Sequence, residues 1–308
     1  MEEQKKLLVL VDGSQRSLLT VDYVSICRAF AGMKVVLFHV FSGVPECFWD
    51  LEYEDIGAAS AKQMRAWENQ RKREIKTFMG RARDRLISAG IPEASIETVI
   101  HNRQKGVARD ILKEAENGYT AVVLRRRGMG DLEGVTVGSV ATKLISKIDF
   151  LPVLIAGRKL QTNKVLIAVD GSPSSIQAVD FVAAHLGDKG YRVGLFHVIR
   201  GFSAINPDNP EFYMPSESAQ RAEAEMTKRF EELTERLVAA GFSPENVSQK
   251  IITGVHSRAG AIVQEAESGG YGTIVVGRRG LSRVQEFFMG RVSTKIIHAG
   301  RYFSVWII

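Results

Sequence analysis

Cysteine is almost missing from this chain. Cys27 and Cys47 are the only two in 308 residues, and they form neither a disulfide framework nor a Cys-x-x-Cys site. Reduced thiols and a cytoplasmic location are the expectation from that scarcity. Long apolar runs are missing as well. The first one, Leu7 to Val11, stops at Asp12, too short for a signal-peptide core, and nothing approaches the roughly 20 residues of a membrane span. A soluble chain with no membrane association is therefore expected. Four catalytic signatures are also absent: Gly-x-Gly-x-x-Gly behind the first strand, Gly-x4-Gly-Lys-Ser/Thr, Gly-x-Ser-x-Gly and His-Glu-x-x-His. Their absence speaks against a dedicated enzyme.

What is present is a balanced globular composition, with 45% hydrophobic and 25% charged residues, in a chain long enough for two domains. The formal charge of +6 favours an anionic partner without naming one. An internal repeat then organises everything else. Leu10-Val11-Asp12-Gly13-Ser14 returns as Ala168-Val169-Asp170-Gly171-Ser172, and Leu37-Phe38-His39-Val40 returns as Leu195-Phe196-His197-Val198. Further on, Gly128-x9-Gly138 returns as Gly280-x9-Gly290, six residues closer, so the first copy is longer in its middle.

Each copy opens with a short apolar run bounded by a turn, as buried parallel strands do. In the second copy Ser172-Pro173 reads as an N-cap followed by proline at the first helical position. Amphipathic helices are predicted around Met64, Trp67, Ile75, Phe78, Ala82 and Leu86, and around Phe230, Leu233 and Leu237, ending at Gly90 and Gly241. Strand and helix alternate to the last strands, Leu151 to Ala156 and Tyr302 to Ile308. The reading is an α/β fold: two tandem, doubly wound, parallel five-stranded sheets of Rossmann-like type, in domains 1–157 and 164–308, with ligand crevices at the carboxyl ends of the strands.

The strongest local signal is Gly277-Arg278-Arg279-Gly280, nine residues, then Gly290, set between a buried strand and a helix start. Glycines permit close backbone approach, and a helix start offers free amides and a positive dipole end, which together suit phosphate. Val-Asp-Gly-Ser behind strand one, His-Val ending strand two and Gly-x-x-Gly-x9-Gly-Ser/Thr resemble the universal stress protein family, over nearly the whole chain and twice. The resemblance implies an adenine nucleotide alpha hydrolase-like fold and an ATP site, with or without magnesium, in which the loop cradles ribose and phosphates while the aspartate and the valine contact adenine. It places that site on Val169, Asp170, Val198, Gly277, Arg279, Gly280, Gly290, Arg291, Val292 and Ser293. In the first copy the same roles fall on Val11, Asp12, Val40, Gly128, Gly138, Ser139 and Val140.

Both copies depart from the pattern. Arg125 stands where the family has its first glycine, and the loop acids Asp131 and Glu133 would repel phosphates. Arg291 stands where the family has Ser or Thr, beside Arg278, Arg279 and Arg283 with Glu286 as the one acid; as a bidentate cation it replaces the hydroxyl or fills the pocket itself. The second copy is the better ligand site. Asp12 and Asp170 also suit plain turn positions, and His39 and His197, with no second ligand at zinc spacing, read as structural. The basic run Arg71-Lys72-Arg73, with Arg81, Arg83 and Arg85, fits the solvated face of an amphipathic helix, so nucleic acid is not an expected partner. By resemblance the two domains pair through their last strands as a pseudo-dimer, with homodimerisation and an unknown signalling protein as further partners. Two functions stay open: a nucleotide-responsive stress or signalling module, with slow ATP hydrolysis at most, and an interaction module that has lost its nucleotide.

Overall fold

The computed structural model describes residues 4–43, 58–126, 137–158, 162–200, 216–280 and 289–308. In chain order these form β1 (Lys6–Leu10), α1 (Gln15–Ile26), β2 (Lys34–Phe41), α2 (Ala58–Ser88), β3 (Ile96–Asn102), α3 (Val107–Ala115), β4 (Ala121–Arg125), α4 (Ser139–Lys147) and β5 (Val153–Ala156). The second copy gives β6 (Lys164–Ala168), α5 (Pro173–Leu186), β7 (Arg192–Arg200), α6 (Ser216–Ala239), β8 (Val247–Val255), α7 (Arg258–Ser268), β9 (Thr273–Val276), α8 (Arg291–Ala299) and β10 (Ser304–Ile307). The alternation read from the repeat is present, and the strands differ from expectation only at their ends.

The chain divides into two compact units, Met1–Ile26 with Ala31–Leu144, and Cys27–Phe30 with Ile145–Ile308. The first carries the parallel order β3-β2-β1-β4, with Leu7, Leu8 and Val9 of β1 facing Val35, Val36 and Leu37 of β2. The second carries β5-β10-β9-β6-β7-β8. β5, which closes the first copy in sequence, falls in the second unit and pairs antiparallel with β10, Ile155 opposite Val305, which is the pairing of last strands that the sequence led us to expect. All other pairs in that unit are parallel.

Central strands are buried along nearly their whole length, as β4 and β9 show, whereas β3 and β8 at the sheet edges are largely exposed or half-buried. The long helices close over the sheets with the apolar residues expected of them: Ile75, Phe78, Ala82 and Leu86 of α2, and Phe230, Leu233 and Leu237 of α6, are buried. Met64 and Trp67, nearer the start of the 31-residue α2, are only half-buried. Both helices end alike. Gly90 and Gly241 sit at φ +91° and +99°, where a side chain is strained, and Ile91 N–H and Phe242 N–H reach back to Leu86 and Leu237 carbonyls at 3.0 and 3.1 Å. Ser172 caps α5 through its side chain, with Pro173 in the first turn, as its sequence predicts. No described helix is long and apolar enough to cross a membrane.

Candidate functional site

The carboxyl ends of β6, β7 and β9 and the starts of α7 and α8 enclose a cleft of ≈ 470 Å³ in the second unit. That volume is in the range of small-molecule sites. All ten second-copy candidates line it. Val169 and Asp170 come from the turn behind β6, Val198 from β7, Gly277, Arg279 and Gly280 from the loop behind β9, and Gly290, Arg291, Val292 and Ser293 from the start of α8.

The loop is held against the first turn of α5 by serine hydroxyls. Ser174 Oγ donates to the Arg279 carbonyl at 2.5 Å and accepts from Arg279 N–H at 3.2 Å, while Ser172 Oγ donates to the same carbonyl at 3.2 Å. Two glycines are required by this approach. A Cβ on Gly277 would stand 2.3 Å from Ser174 Oγ and 2.7 Å from Ser175 N, and one on Gly280 would stand 2.5 Å from Asp170 Oδ2. Asp170 Oδ1 accepts from Ser172 N–H at 3.0 Å, so its carboxylate is oriented by the turn and directed along the loop.

The start of α8 leaves its amides uncapped. Gly290 is the N-cap, with no side chain to offer, so the first-turn N–H groups have no intrahelical acceptor. Arg279 and Arg291 are exposed at the cleft and form no ion pair among the described residues. Ser293 is used otherwise than expected: its hydroxyl donates to the Gly277 carbonyl at 2.8 Å and ties α8 to the loop. Arg278 leaves the loop's cationic set altogether. Its side chain is buried, donates to the Ile145 carbonyl at 2.7 Å, and is pushed to lower pKa by burial, with Asp149 opposing. Arg283 and Glu286 lie outside the described residues.

Sequence reasoning missed several lining residues, among them Ser175, Phe196, Arg258 and Ile262. Arg258 had a usable signal: it opens α7 directly behind β8, at the strand ends where ligands bind in open α/β sheets. Its Nε donates to the Val198 carbonyl at 3.3 Å. His197 also lines the cleft, and its role is structural in the way the repeat suggested. A carbonyl only accepts, so the neutral ring carries its proton on Nδ1 and donates it to Val169 at 2.6 Å; His39 makes the same bond to Val11 at 2.9 Å. No cluster of three metal-ligating side chains exists among the described residues.

Burial lowers the pKa of both histidines, with the backbone bonds to Val169 and Val11 opposing. Below about pH 6.5 the unfolded chain therefore takes up protons that the folded chain refuses, and stability falls until the depressed folded pKa is passed. Denaturant midpoints are expected to drop between pH 8 and pH 5.5, and the drop to shrink in a His39→Gln/His197→Gln double variant. An unchanged drop would place the linkage on other groups.

In the first unit Val11 and Val40 are buried, Ser139 and Val140 are exposed, and Gly138 N–H donates to the Arg126 carbonyl at 2.6 Å. Asp12 Oδ1 takes both N–H and O–H of Ser14, at 2.9 and 2.6 Å, a turn of the kind its sequence allowed. Gly128, Asp131 and Glu133 lie outside the described residues. Over the turn, Ile75 Cδ1 lies 2.6 Å from where a Cβ on Gly13 would stand, whereas the matching glycine of the second unit, Gly171, has the Arg229 guanidinium above it.

A model of the universal stress protein family matches residues 3–156 and again 161–302. The chain belongs to that family. A universal stress protein of Mycolicibacterium smegmatis is 27% identical over 173 residues, 51% of this chain and 58% of that protein, so this chain spans little more than half of that relative. The universal stress protein YxiE of Bacillus subtilis is 29% identical over 143 residues, 44% of this chain and 90% of its own length. In fold, the crystal structure of a universal stress protein from Archaeoglobus fulgidus aligns over 98% of this chain and 97% of its own, with TM-score 0.66 at 18% identity. This protein is thus a tandem universal stress protein.

Proposed function

We infer that the second unit binds an adenine nucleotide and that the protein is a nucleotide-responsive stress or signalling module rather than a dedicated enzyme. The observation that carries this is the convergence of all ten candidates on one ≈ 470 Å³ cleft. Phosphates fit at the uncapped start of α8, where free amides, the helix dipole and the exposed Arg279 and Arg291 act together. The base then faces the other end, against Val169, Val198 and Ile262, with Asp170 as its polar contact. Arg291 stands exposed at the cleft and leaves its volume open, which supports a phosphate ligand over a plug. Asp170 is the one carboxylate that lines the cleft among the described residues, so a magnesium ion would draw further ligands from phosphate oxygens and water. The first unit is read as the nucleotide-free copy, on Arg125 and the close cover of Ile75.

Titration calorimetry of the nucleotide-stripped chain with magnesium ATP tests this. One site per chain is expected. Asp170→Ala and Arg291→Ala should each weaken it at least about tenfold, near the 1.5–3 kcal/mol of a charged hydrogen bond. Asp12→Ala should leave it unchanged. Absence of binding up to millimolar ATP would favour the nucleotide-free interaction module, and a gain of affinity in Arg291→Ser would make Arg291 the obstacle.

A further inference from the structure

The charge of this chain is concentrated on one helix. Helix α2 carries nine basic and three acidic residues, a net +6 equal to the formal charge of the whole chain. Its counterpart α6 carries four basic and six acidic residues. The basic run conspicuous in the sequence is largely neutralised: Arg71 pairs with Glu74 at 2.8 Å, Lys72 with Glu68 at 2.6 Å, Arg85 with Asp22 at 2.7 Å, and Arg83 with Glu93. Those residues are a solvated face, as expected of them.

Five cations are left over, Arg73 and Arg81 of that run together with Lys62, Arg65 and Lys76. Lys62, Arg65, Arg73 and Lys76 are exposed, and none forms an ion pair or hydrogen bond among the described residues. At 3.6 residues per turn they fall within about 80° of arc, and at 1.5 Å per residue they extend over about 21 Å, so they make one straight stripe. Asn69 lies among them, while Glu68 and Glu74 point to either side, each engaged by its own cation. The apolar side of the helix is spent on the core, where Ile75, Phe78, Met79, Ala82 and Leu86 are buried.

We propose that this stripe is a docking surface for the phosphate backbone of a nucleic-acid duplex, without base selection. Three features select that partner. The stripe has no exposed apolar or aromatic residue of its own, so it lacks the anchors that protein interfaces depend on and the wedge that membrane-surface helices need. Among the described residues it has no stacking platform, which single strands require. Uncompensated lysine and arginine with polar interleaving is the composition of non-specific duplex contacts, where affinity comes from counterion release. Among the described residues these four lack a carboxylate partner, while Arg81, the fifth unpaired cation of α2, lies over the Phe78 ring.

The test is fluorescence anisotropy of a labelled 20-base-pair DNA duplex, repeated with RNA, on the full chain. Micromolar affinity is expected at 50 mM salt, with a log–log salt slope of about −3 to −4 for four phosphate contacts. Lys62→Gln/Arg65→Gln/Arg73→Gln/Lys76→Gln should weaken binding at least about tenfold and flatten the slope. The matched variant Arg71→Gln/Lys72→Gln/Arg83→Gln/Arg85→Gln removes as much charge from paired positions and should bind nearly as the parent does. No binding at 50 mM salt, equal losses in the two variants, or displacement of the duplex by polyglutamate at equal charge concentration would each overturn the proposal.

Discussion

Placing arginine at position 277, which is what the first copy carries at Arg125, is expected to abolish nucleotide binding by the second unit, by more than about 100-fold, and to destabilise that unit. The reason is steric before it is electrostatic. The Cβ alone would stand 2.3 Å from Ser174 Oγ and 2.7 Å from the Ser174 carbonyl carbon and Ser175 N, and two of those atoms are backbone of the first turn of α5. For Gly277→Arg to be accommodated, that turn must retreat. Retreat breaks the clasp that Ser172 and Ser174 keep on the Arg279 backbone, and with it the position of Arg279 and Gly280 at the cleft. Overpacking of this kind costs about 1–3 kcal/mol. Gly277→Ala introduces the same Cβ without the long side chain, so it should keep most of the destabilisation. Calorimetry and denaturant unfolding of both variants separate the effects, and undiminished ATP binding in Gly277→Arg would sink the assignment of the loop.

The second large effect concerns Trp306. Its side chain is 1% exposed in the middle of β10, edge-on to Phe181 of α5 with ring centres 5.9 Å apart, and 6.2 Å from Phe30. Phe181 in turn stacks on His185 at 4.2 Å. Trp306→Ala removes the largest of the fully buried side chains and leaves a cavity that surrounding strands, tied on both edges of β10, have little freedom to fill. A loss of about 3–5 kcal/mol is expected, which lowers the unfolding midpoint of the second unit by on the order of 10 °C. Trp306→Phe should recover more than half. Thermal unfolding checks this, and a loss below about 1 kcal/mol would mean that the aromatic cluster contributes little.

Much of this was legible from residues alone because the repeat supplied each observation twice. The cap at Ser172, the helix ends at Gly90 and Gly241, and the buried strands follow from local chemistry, which a sequence carries in full. The cleft was legible where a backbone constraint marks it, at Asp170, Gly277, Gly280 and Gly290. It was not legible where only tertiary packing decides. Nothing local says that Arg278 turns into the protein while its neighbour Arg279 stays at the cleft, or that Ser293 spends its hydroxyl on Gly277. The basic helix shows the same limit: a run of cations announces itself in sequence, but which of them find a carboxylate depends on Glu93 and Asp22, brought in from other elements.

The antiparallel pairing of β5 with β10 has a consequence for how the chain is made. Val153 to Ile155 must wait for strand partners encoded about 150 residues later. At roughly 5–20 residues per second that interval is about 8–30 s of synthesis. Throughout it, one edge of an entirely apolar strand stays without its partner, the kind of surface that recruits the wrong neighbour. Completion of the second sheet is therefore timed by translation rather than by the intrinsic speed of strand pairing, and aggregation during synthesis should concentrate on chains that carry β5 but not yet β10.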